Sequence, residues 1–398
     1  MKKTTIEKKK YKGLVISDIH VGAFDVSRQL QEWDNIFIRF IKESKDPIDF
    51  IVITGDFFDH KLYLNEKESA IAYYMLSALI ELTDQWNTKI RIVYGTESHE
   101  ANQYQILNVI GMVTECDRLQ VMKTVSEEFL FPDMKVLYIP EEYIYDKKEY
   151  YQEYFLKDSE YDYIFGHGVV QEVFGERVVQ LLNKNKEKRK KPPIFTSAEL
   201  IKICKGQIFF GHYHIRSIIG DKVFSVGSFS RWKFGEEEEK GFYELTCNPS
   251  KHQYDYTFHE NTLAQRYKTI GFGYQSKIFT DTKTMEEEFN KIDQFIRKDM
   301  VDHIRFELNI PENVEAPEGV IQYVKEKFKQ KDNVKVNIVN GYAAAKKEQK
   351  KEVIRQEATK YDFLFDQIPI HEKIAQFISI EYHKEIGKDT VKEYLKEE

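Results

Sequence analysis

The sequence predicts a layered α/β protein, and three observations carry that prediction. Short apolar, β-branched runs recur between residues 11 and 226. Amphipathic helical stretches lie between several of those runs. A second alternation of strands and helices begins after residue 260. Strands that first alternate with helices and then cluster are typical of sheets covered by helices.

The first region contains seven predicted strands, at residues 11–17, 49–54, 89–94, 134–139, 161–165, 206–210 and 221–226. A helix is predicted over residues 30–41, and its apolar stripe is formed by Leu30, Trp33, Phe37, Phe40 and Ile41. Residues 66–85 predict a second helix. The stretch 183–193 is basic, carries two prolines and has no apolar stripe, so it predicts an exposed loop. A solvated linker and a nucleic-acid contact both remain open for that loop.

The second region predicts a small α/β module, with strands at 267–272, 303–310 and 333–339 and helices at 283–299 and 317–330. Residues 343–360 favour a helix that is polar nearly all round, as in a connector. The tail then regains an apolar helical face formed by Ile370, Ile374, Phe377 and Ile378. The expected domains are therefore residues 1–258, 259–342 and 343–398.

Composition narrows the class of protein. The chain has 398 residues, a formal net charge of −7 and three cysteines without a pattern. A generally basic nucleic-acid-binding protein is thereby excluded, and a disulfide framework is not expected. Neither a signal peptide nor a transmembrane run is apparent, so we expect a cytoplasmic protein that does not enter a membrane.

Short motifs rich in Asp and His follow the apolar runs. They are "SDIH" with Asp18 and His20, "GDFFDH" with Asp56, Asp59 and His60, "GTESHE" with Ser98, His99 and Glu100, "GHG" with His167, and "GHYH" with His212 and His214. Ligands gather at the carboxyl ends of strands in α/β sheets. Asp and His suit manganese, iron or zinc. Asp18 and His20 are two residues apart, and so are His212 and His214. This spacing predicts that the two side chains of each pair leave a strand end on the same face. Each motif alone is weak, but their order predicts a metal site.

These motifs resemble those of the calcineurin-like metallophosphoesterase superfamily over residues 11–246, since D-x-H, G-D-x-x-D, G-H-G and G-H-x-H occur in order. The resemblance implies a two-layer β-sandwich flanked by helices, with two divalent metal ions. It implies that Asp18, His20 and His214 hold the first ion and that His167 and His212 hold the second. Asp56 is then the bridging ligand, and His99 is the residue that protonates or stabilises the leaving group. Glu100 or Asp59 is expected to orient His99.

One ligand departs from the family pattern. The family has Gly-Asn-His where this chain has "GTESHE", and Ser98 stands directly before His99. A serine hydroxyl is a shorter and poorer donor to a divalent cation than an amide oxygen. A water, Asn102 or Gln103 is the other candidate for that place. We therefore expect a variant metal site, and the sequence does not decide its affinity for the second metal ion.

The segment 226–245, "VGSFSRWKFGEEEEKGFYEL", is similar to the segment that closes the phosphoesterase domain of SbcD-type DNA repair nucleases. With the module after residue 260, this resemblance implies a capping domain and a helical tail that binds an SbcC-like coiled-coil ATPase. It implies that DNA is the substrate and that manganese is the preferred metal. It does not decide whether the protein forms a homodimer. Intramolecular packing is the competing explanation for the tail.

Two other functions stay open at this stage. One is a phosphatase or cyclic-nucleotide phosphodiesterase of the same superfamily. The other is a DNA-binding scaffold without activity, whose second metal site has degenerated.

Overall fold

The computed structural model describes residues 10–63, 65–101, 103–104, 118–156, 158, 160–174, 190–273, 276–279, 281–298, 301–310, 318–328, 334–340, 372, 374–375, 379 and 387–395. The chain divides into two compact units, Met1–Lys268 with Val301–His303, and Thr269–Met300 with Ile304–Glu398. Asn102, most of the basic loop, the connector 343–360 and most of the apolar stripe in the tail lie outside the described residues. The domain boundaries expected at 258 and 342 stay predictions.

Two six-stranded sheets form the first unit. The strands of the first sheet are β1 Tyr11–Ile16, β2 Phe50–Ile53, β3 Lys89–Val93, β4 Leu119–Met122, β13 Gly241–Asn248 and β14 Gln253–Glu260. Those of the second are β5 Ser126–Phe131, β6 Met134–Ile139, β7 Tyr161–His167, β10 Cys204–Gly211, β11 Ser217–Ile219 and β12 Val223–Ser225. The first sheet has the order β14-β13-β1-β2-β3-β4 and the second the order β11-β12-β10-β7-β6-β5. A small pair, β8 Val169–Val170 and β9 Ile194–Phe195, lies outside both sheets.

The two sheets pack face to face, because alternate strand residues point into a shared apolar core. Val15, Val52 and Val93 of the first sheet belong to one buried cluster with Phe165 and Phe209 of the second. The intervening residues Leu14, Ile51 and Ile92 face the opposite way, into a second cluster that the helices cover. The expected two-layer sandwich is thus confirmed.

Helices cover the outer faces of the sandwich. They are α1 Val26–Glu32, α2 Arg39–Glu43, α3 Lys67–Thr83, α4 Glu97–Glu100, α5 Lys147–Tyr150, α6 Gln171–Phe174 and α7 Ser197–Ile203. A π-helical segment, Trp33–Ile38, joins α1 to α2. The predicted stripe buries Trp33, Phe37 and Ile41 completely. The π-helical turn within that stretch was not predicted, because hydrophobic periodicity does not separate it from regular α-helix.

The second unit contains a three-stranded sheet formed by β15 Tyr267–Phe272, β16 His303–Ile310 and β17 Val334–Asn340, in that order across the sheet. Strands β16 and β17 are parallel. Helices α8 Thr282–Lys298 and α9 Glu318–Lys327 alternate with these strands, as predicted. Phe289, Phe306 and Phe328 are buried among them. Helix α10 Lys388–Leu395 lies in the tail. None of the described helices combines the length and the apolar content that crossing a membrane requires.

Candidate metal centre

The candidate centre lies where parallel strands of both sheets end. Strands β1, β2 and β3 are mutually parallel, as are β6, β7 and β10. Their carboxyl ends therefore lie on one edge of the sandwich, and the predicted motifs follow directly after them. Main-chain bonds join the first two motifs: Asp18 N–H donates to Gly55 O at 3.1 Å and His20 N–H to Asp56 O at 3.0 Å.

Left-handed backbone conformations aim the predicted ligands into the centre. The φ angles are 47° at Asp18, 48° at His20, 48° at Asp56 and 94° at His212. Such values are costly for residues other than glycine and persist where the surrounding structure enforces them, commonly at functional sites. This corrects one expectation: Asp18 and His20 follow the end of β1 at Ile16, so strand alternation does not place them on one face. A strained loop does so instead.

Two glycines let the loops approach each other closely. A Cβ at Gly55 would lie 2.1 Å from the His167 ring, and a Cβ at Gly95 would lie 2.3 Å from Asp56 Oδ1. Gly55 also has a φ of 87°. Any side chain at either position would displace a predicted ligand.

The first group of candidate ligands is Asp18, His20 and His214, whose donor atoms all lie within 4.8 Å of one another. Asp18 Oδ1 is 3.8 Å from Nε2 of His20 and 3.8 Å from Nε2 of His214. His214 turns this nitrogen inward because its Nδ1 lies 3.0 Å from Glu236 Oε1. The Trp232 ring lies 4.6 Å from both histidine rings, measured between centroids.

The second group is Asp56, His167 and His212, again with donor atoms within 4.8 Å of one another. Nδ1 of His167 is 2.7 Å from Thr54 O, so it donates there. The opposite nitrogen, Nε2, lies 3.3 Å from Asp56 Oδ2. The same Asp56 oxygen is 3.6 Å from His20 Nε2, and this brings Asp56 between the two groups.

His99 lies beside the first group. It forms a set with His20 and Asp56 whose donor atoms are also within 4.8 Å of one another. Its Nδ1 contacts the main-chain oxygen of Asp59. The Asp59 carboxylate faces His20 Nδ1 at 3.3 Å, and the buried Glu100 carboxylate accepts from Phe57 N–H at 3.2 Å. The main chain of Asp59, and neither carboxylate, thus contacts His99 in place of the expected orienting group.

Buried carboxylates make this pocket favour positive charge. Burial alone lowers the pKa of His167, but Asp56, Asp18 and Glu141 outweigh it and raise that pKa to about 10. Burial also opposes charge on His20, yet its carboxylate neighbours raise its pKa to about 9. The histidines in turn lower the pKa of Asp18 to about 2 despite its burial. A site with this balance attracts a proton or a metal cation.

The donor set fits divalent metal ions. His20 Nε2 and His167 Nε2 are buried without a hydrogen-bond partner, which is costly unless another group satisfies them. Ligand atoms about 2.0–2.2 Å from one ion stand roughly 3.0–3.5 Å apart. Separations of 3.3–3.8 Å between the carboxylate and imidazole atoms are close to that value. Small adjustments of the side chains would therefore suffice for coordination.

The structure of the "GTESHE" loop differs from the expectation that Ser98 takes the place of the family's asparagine ligand. Ser98 is exposed on α4. Thr96, which directly follows Gly95, donates its N–H to Asp56 Oδ1 at 2.7 Å. Its Oγ1 lies 3.3 Å from His212 Nδ1. Gln103 makes hydrogen bonds to Leu62 N–H and to main-chain oxygens, among them that of His99. Thr96 is therefore a residue of this loop that lies beside the second group.

Three residues of the centre escaped the sequence analysis as functional candidates. Glu236 is the first residue of an acidic run that a solvated turn would explain equally well. Glu236 is nevertheless buried, and its carboxylate holds His214. Trp232 precedes it in the same segment. Glu141 follows β6 and lies 2.9 Å from His212 Nδ1. A carboxylate just after an apolar strand was the available signal for Glu141, the same signal that marked Asp18 and Asp56.

Comparisons with known proteins match the chain to one family model and to solved structures of low similarity. The family model described as calcineurin-like phosphoesterase matches residues 11–240. One similar solved structure is that of TT1561 from Thermus thermophilus, with 12% identity, a TM-score of 0.34, and coverage of 63% of this chain and 99% of that one. Another has 13% identity, a TM-score of 0.31, and coverage of 63% and 100%. None of the curated proteins matches the chain. Since the family model covers more than half of the sequence, and its region contains all the residues of the centre, the chain belongs to the calcineurin-like phosphoesterase family.

Proposed function

We propose that this phosphoesterase is a DNA nuclease of the SbcD type, dependent on two divalent ions, which works in the cytoplasm with an SbcC-like ATPase in the processing of DNA ends. The convergence of the two ligand groups on Asp56 is the observation that carries the proposal. Two ions sharing a carboxylate are the arrangement suited to hydrolysis of phosphate esters. A scaffold without activity would not need it.

In this proposal Asp18, His20 and His214 hold the first ion. His167 and His212 hold the second, and Asp56 belongs to both. Nitrogen and carboxylate-oxygen donors suit manganese, which we take as the working metal. When bound, such a pair of ions activates water and offsets charge on the phosphate oxygens.

The chain's own residues supply the remaining chemistry. Because Nδ1 of His99 donates to Asp59 O, the ring exchanges protons at Nε2, and in its imidazolium form it gives the Nε2 proton to the leaving alkoxide and becomes neutral. Glu236 and Thr54 fix the ring orientation of His214 and His167 through Nδ1, which keeps Nε2 of both rings available. The Asp59 carboxylate lies 3.3 Å from His20 Nδ1, where its charge favours a cation beside this ring.

Exposed aromatic and basic side chains support a nucleic-acid substrate. Tyr143 and Tyr145, shortly after Glu141, are 46% and 70% exposed. Lys190 lies 5.4 Å from the centroid of the Tyr145 ring. Aromatic rings that stack on bases, next to lysines that contact phosphates, are how proteins bind single strands. This local patch does not need a basic protein overall, and the net charge is −7.

A substrate panel tests the proposal. The purified protein with manganese is incubated with end-labelled single- and double-stranded DNA, a cyclic nucleotide and a phosphomonoester. We expect cleavage of DNA, and weaker cleavage by Tyr145→Ala than by Tyr74→Ala, a control at another exposed tyrosine, on α3. Hydrolysis of the small esters with DNA left intact would instead make the protein a phosphatase or cyclic-nucleotide phosphodiesterase.

A further inference from the structure

Glu141 lies inside the second ligand group, although no motif includes it. It follows the end of β6 at Ile139 and is 5% exposed. Its Oε2 atom is 2.9 Å from His212 Nδ1 and 3.8 Å from His167 Nε2. Thr96 Oγ1 donates to the same oxygen at 3.0 Å. One carboxylate oxygen therefore faces both histidines of the second group.

The His167 contact cannot be an ordinary hydrogen bond of a neutral imidazole. Its Nδ1 proton is given to Thr54 O, so Nε2 carries a second proton in the imidazolium ring and a lone pair in the neutral ring. Nε2 lies 3.3 Å from Asp56 Oδ2 and 3.8 Å from Glu141 Oε2. Two buried carboxylate oxygens on one imidazole nitrogen repel each other unless a proton or a metal cation lies among them.

We propose that Glu141 is the fourth protein ligand of the second metal ion, in the role that the family assigns to an asparagine. This inference rests on the proposed function, because it assumes that a metal binds there. The "GTESHE" loop contributes Thr96 instead, which orients the Asp56 and Glu141 carboxylates through its N–H and hydroxyl groups. Ser98, exposed on α4, does not coordinate.

Replacing an amide with a carboxylate changes the charge of the centre. Asp18, Asp56 and Glu141 then provide three negative charges against two divalent ions, where the family pattern provides two. A charged oxygen binds a hard cation more strongly than a neutral amide oxygen does. The second ion should therefore bind tightly, and the altered loop does not mean a weakened site.

Manganese binding to the full-length protein tests the assignment. Equilibrium dialysis followed by metal analysis gives stoichiometry and affinity for the parent, Glu141→Gln, Glu141→Ala and the control Glu142→Gln. Glu142 is the neighbouring carboxylate, and it bonds to Val125 N–H and the Tyr150 hydroxyl instead. We expect two ions in the parent and in the control. We expect affinity for the second ion to fall about tenfold or more in Glu141→Gln, and further in Glu141→Ala, with the first ion retained.

The series separates coordination from simple positioning of His212. A glutamine oxygen still accepts a hydrogen bond from His212, so a positioning role predicts that Glu141→Gln binds the second ion like the parent. That result, with two ions bound to the parent, overturns the inference and leaves the proposed function standing. A parent that binds no manganese overturns both. Circular dichroism of each variant identifies misfolding, and the glutamine variant decides the matter if the alanine variant does not fold.

Discussion

At the scale of single residues, His99 lies beside the first ligand group. The ring of His99 lies 4.8 Å from that of His20, between centroids, and its Nδ1 is held by a main-chain oxygen. A main-chain oxygen fixes the tautomer without adding charge, so the ring keeps the capacity to exchange a proton at Nε2. The role proposed for His99 is proton transfer at this atom.

His99→Ala tests that role. We expect kcat for DNA cleavage to fall roughly 100- to 10,000-fold, the usual contribution of a general acid or base. Both manganese ions should stay bound, as metal analysis will show. His60→Ala is the matched control, because His60 is a neighbouring, half-exposed histidine that pairs with Asp59. Loss of a metal ion in His99→Ala would make His99 a ligand.

Glu236 is a positioning residue for His214. Its Oε1 faces His214 Nδ1 and its Oε2 accepts from Trp232 N–H at 3.1 Å. Outer carboxylates of this kind raise metal affinity by about 10- to 100-fold. We expect Glu236→Ala to weaken binding of the first manganese ion by that factor. We expect Glu236→Gln, whose amide oxygen still accepts from His214 Nδ1, to bind that ion nearly like the parent in the same dialysis experiment.

Glu239 provides the comparison for Glu236. It belongs to the same acidic run but is exposed and pairs with Arg216 at 2.8 Å. Glu239→Ala should leave manganese affinity unchanged. Equal effects of the two alanine substitutions would mean that Glu236 acts through the net charge of the run and not through His214.

At the scale of elements, a buried carboxylate ties helix α1 to the chain after β14. Glu32, at the end of α1, is 1% exposed. Its Oε2 accepts from Asn261 Nδ2 at 2.9 Å, and the same amide donates to Phe229 O. Arg28 lies 3.5 Å from its other oxygen. Burial raises the pKa of Glu32 to about 7, because these partners only partly offset the loss of hydration.

This raised pKa makes stability depend on pH. The folded protein binds a proton at Glu32 between pH 4.5 and about 7, where the unfolded chain does not. The free energy of unfolding therefore falls as pH rises through that window, by up to about 3 kcal/mol. We expect Glu32→Gln to raise Tm at pH 8 and to leave it nearly unchanged at pH 4.5. Thermal melts at both pH values measure this difference.

Glu43→Gln is the control for Glu32, since Glu43 is exposed and pairs with Arg39 at 2.7 Å. It should shift Tm little at either pH. A Glu32→Gln variant that loses stability at pH 8 would show that the charged carboxylate stabilises the fold despite its burial.

At the scale of the whole molecule, the candidate metal centre and the tail belong to different compact units. All the proposed ligands lie in the unit Met1–Lys268, and the tail belongs to the unit Ile304–Glu398. Within the described residues of the tail, Ala375 and Val391 are 6% exposed. This burial is what intramolecular packing predicts, while the predicted apolar stripe favours a partner.

Removing residues 361–398 distinguishes the two explanations for the tail. If the tail binds the ATPase, the truncated protein should fold, bind two manganese ions and retain nuclease activity, but no longer associate with the ATPase. Size-exclusion chromatography of the mixture measures the association, and a thermal melt measures the stability. An insoluble truncated protein would show that the tail packs in the core. A truncated protein that still binds the ATPase would show that the tail lies outside the interface.

The sequence by itself determined the strands and helices with strong periodicity, and it identified the ligand types, because Asp and His after apolar runs leave a local signal. Asp18, His20, Asp56, His167, His212 and His214 were all named from that signal, and the structure brings them together.

Only the tertiary structure decided how they converge, since left-handed loop conformations at Asp18 and His20 arise from pairing with the loop after β2. It also decided that Thr96 and Glu141 lie beside His212 and that Ser98 is exposed. Glu141 and His212 lie far apart in the chain and follow β6 and β10, which become near neighbours only because both pair with β7, and no local pattern records such pairing.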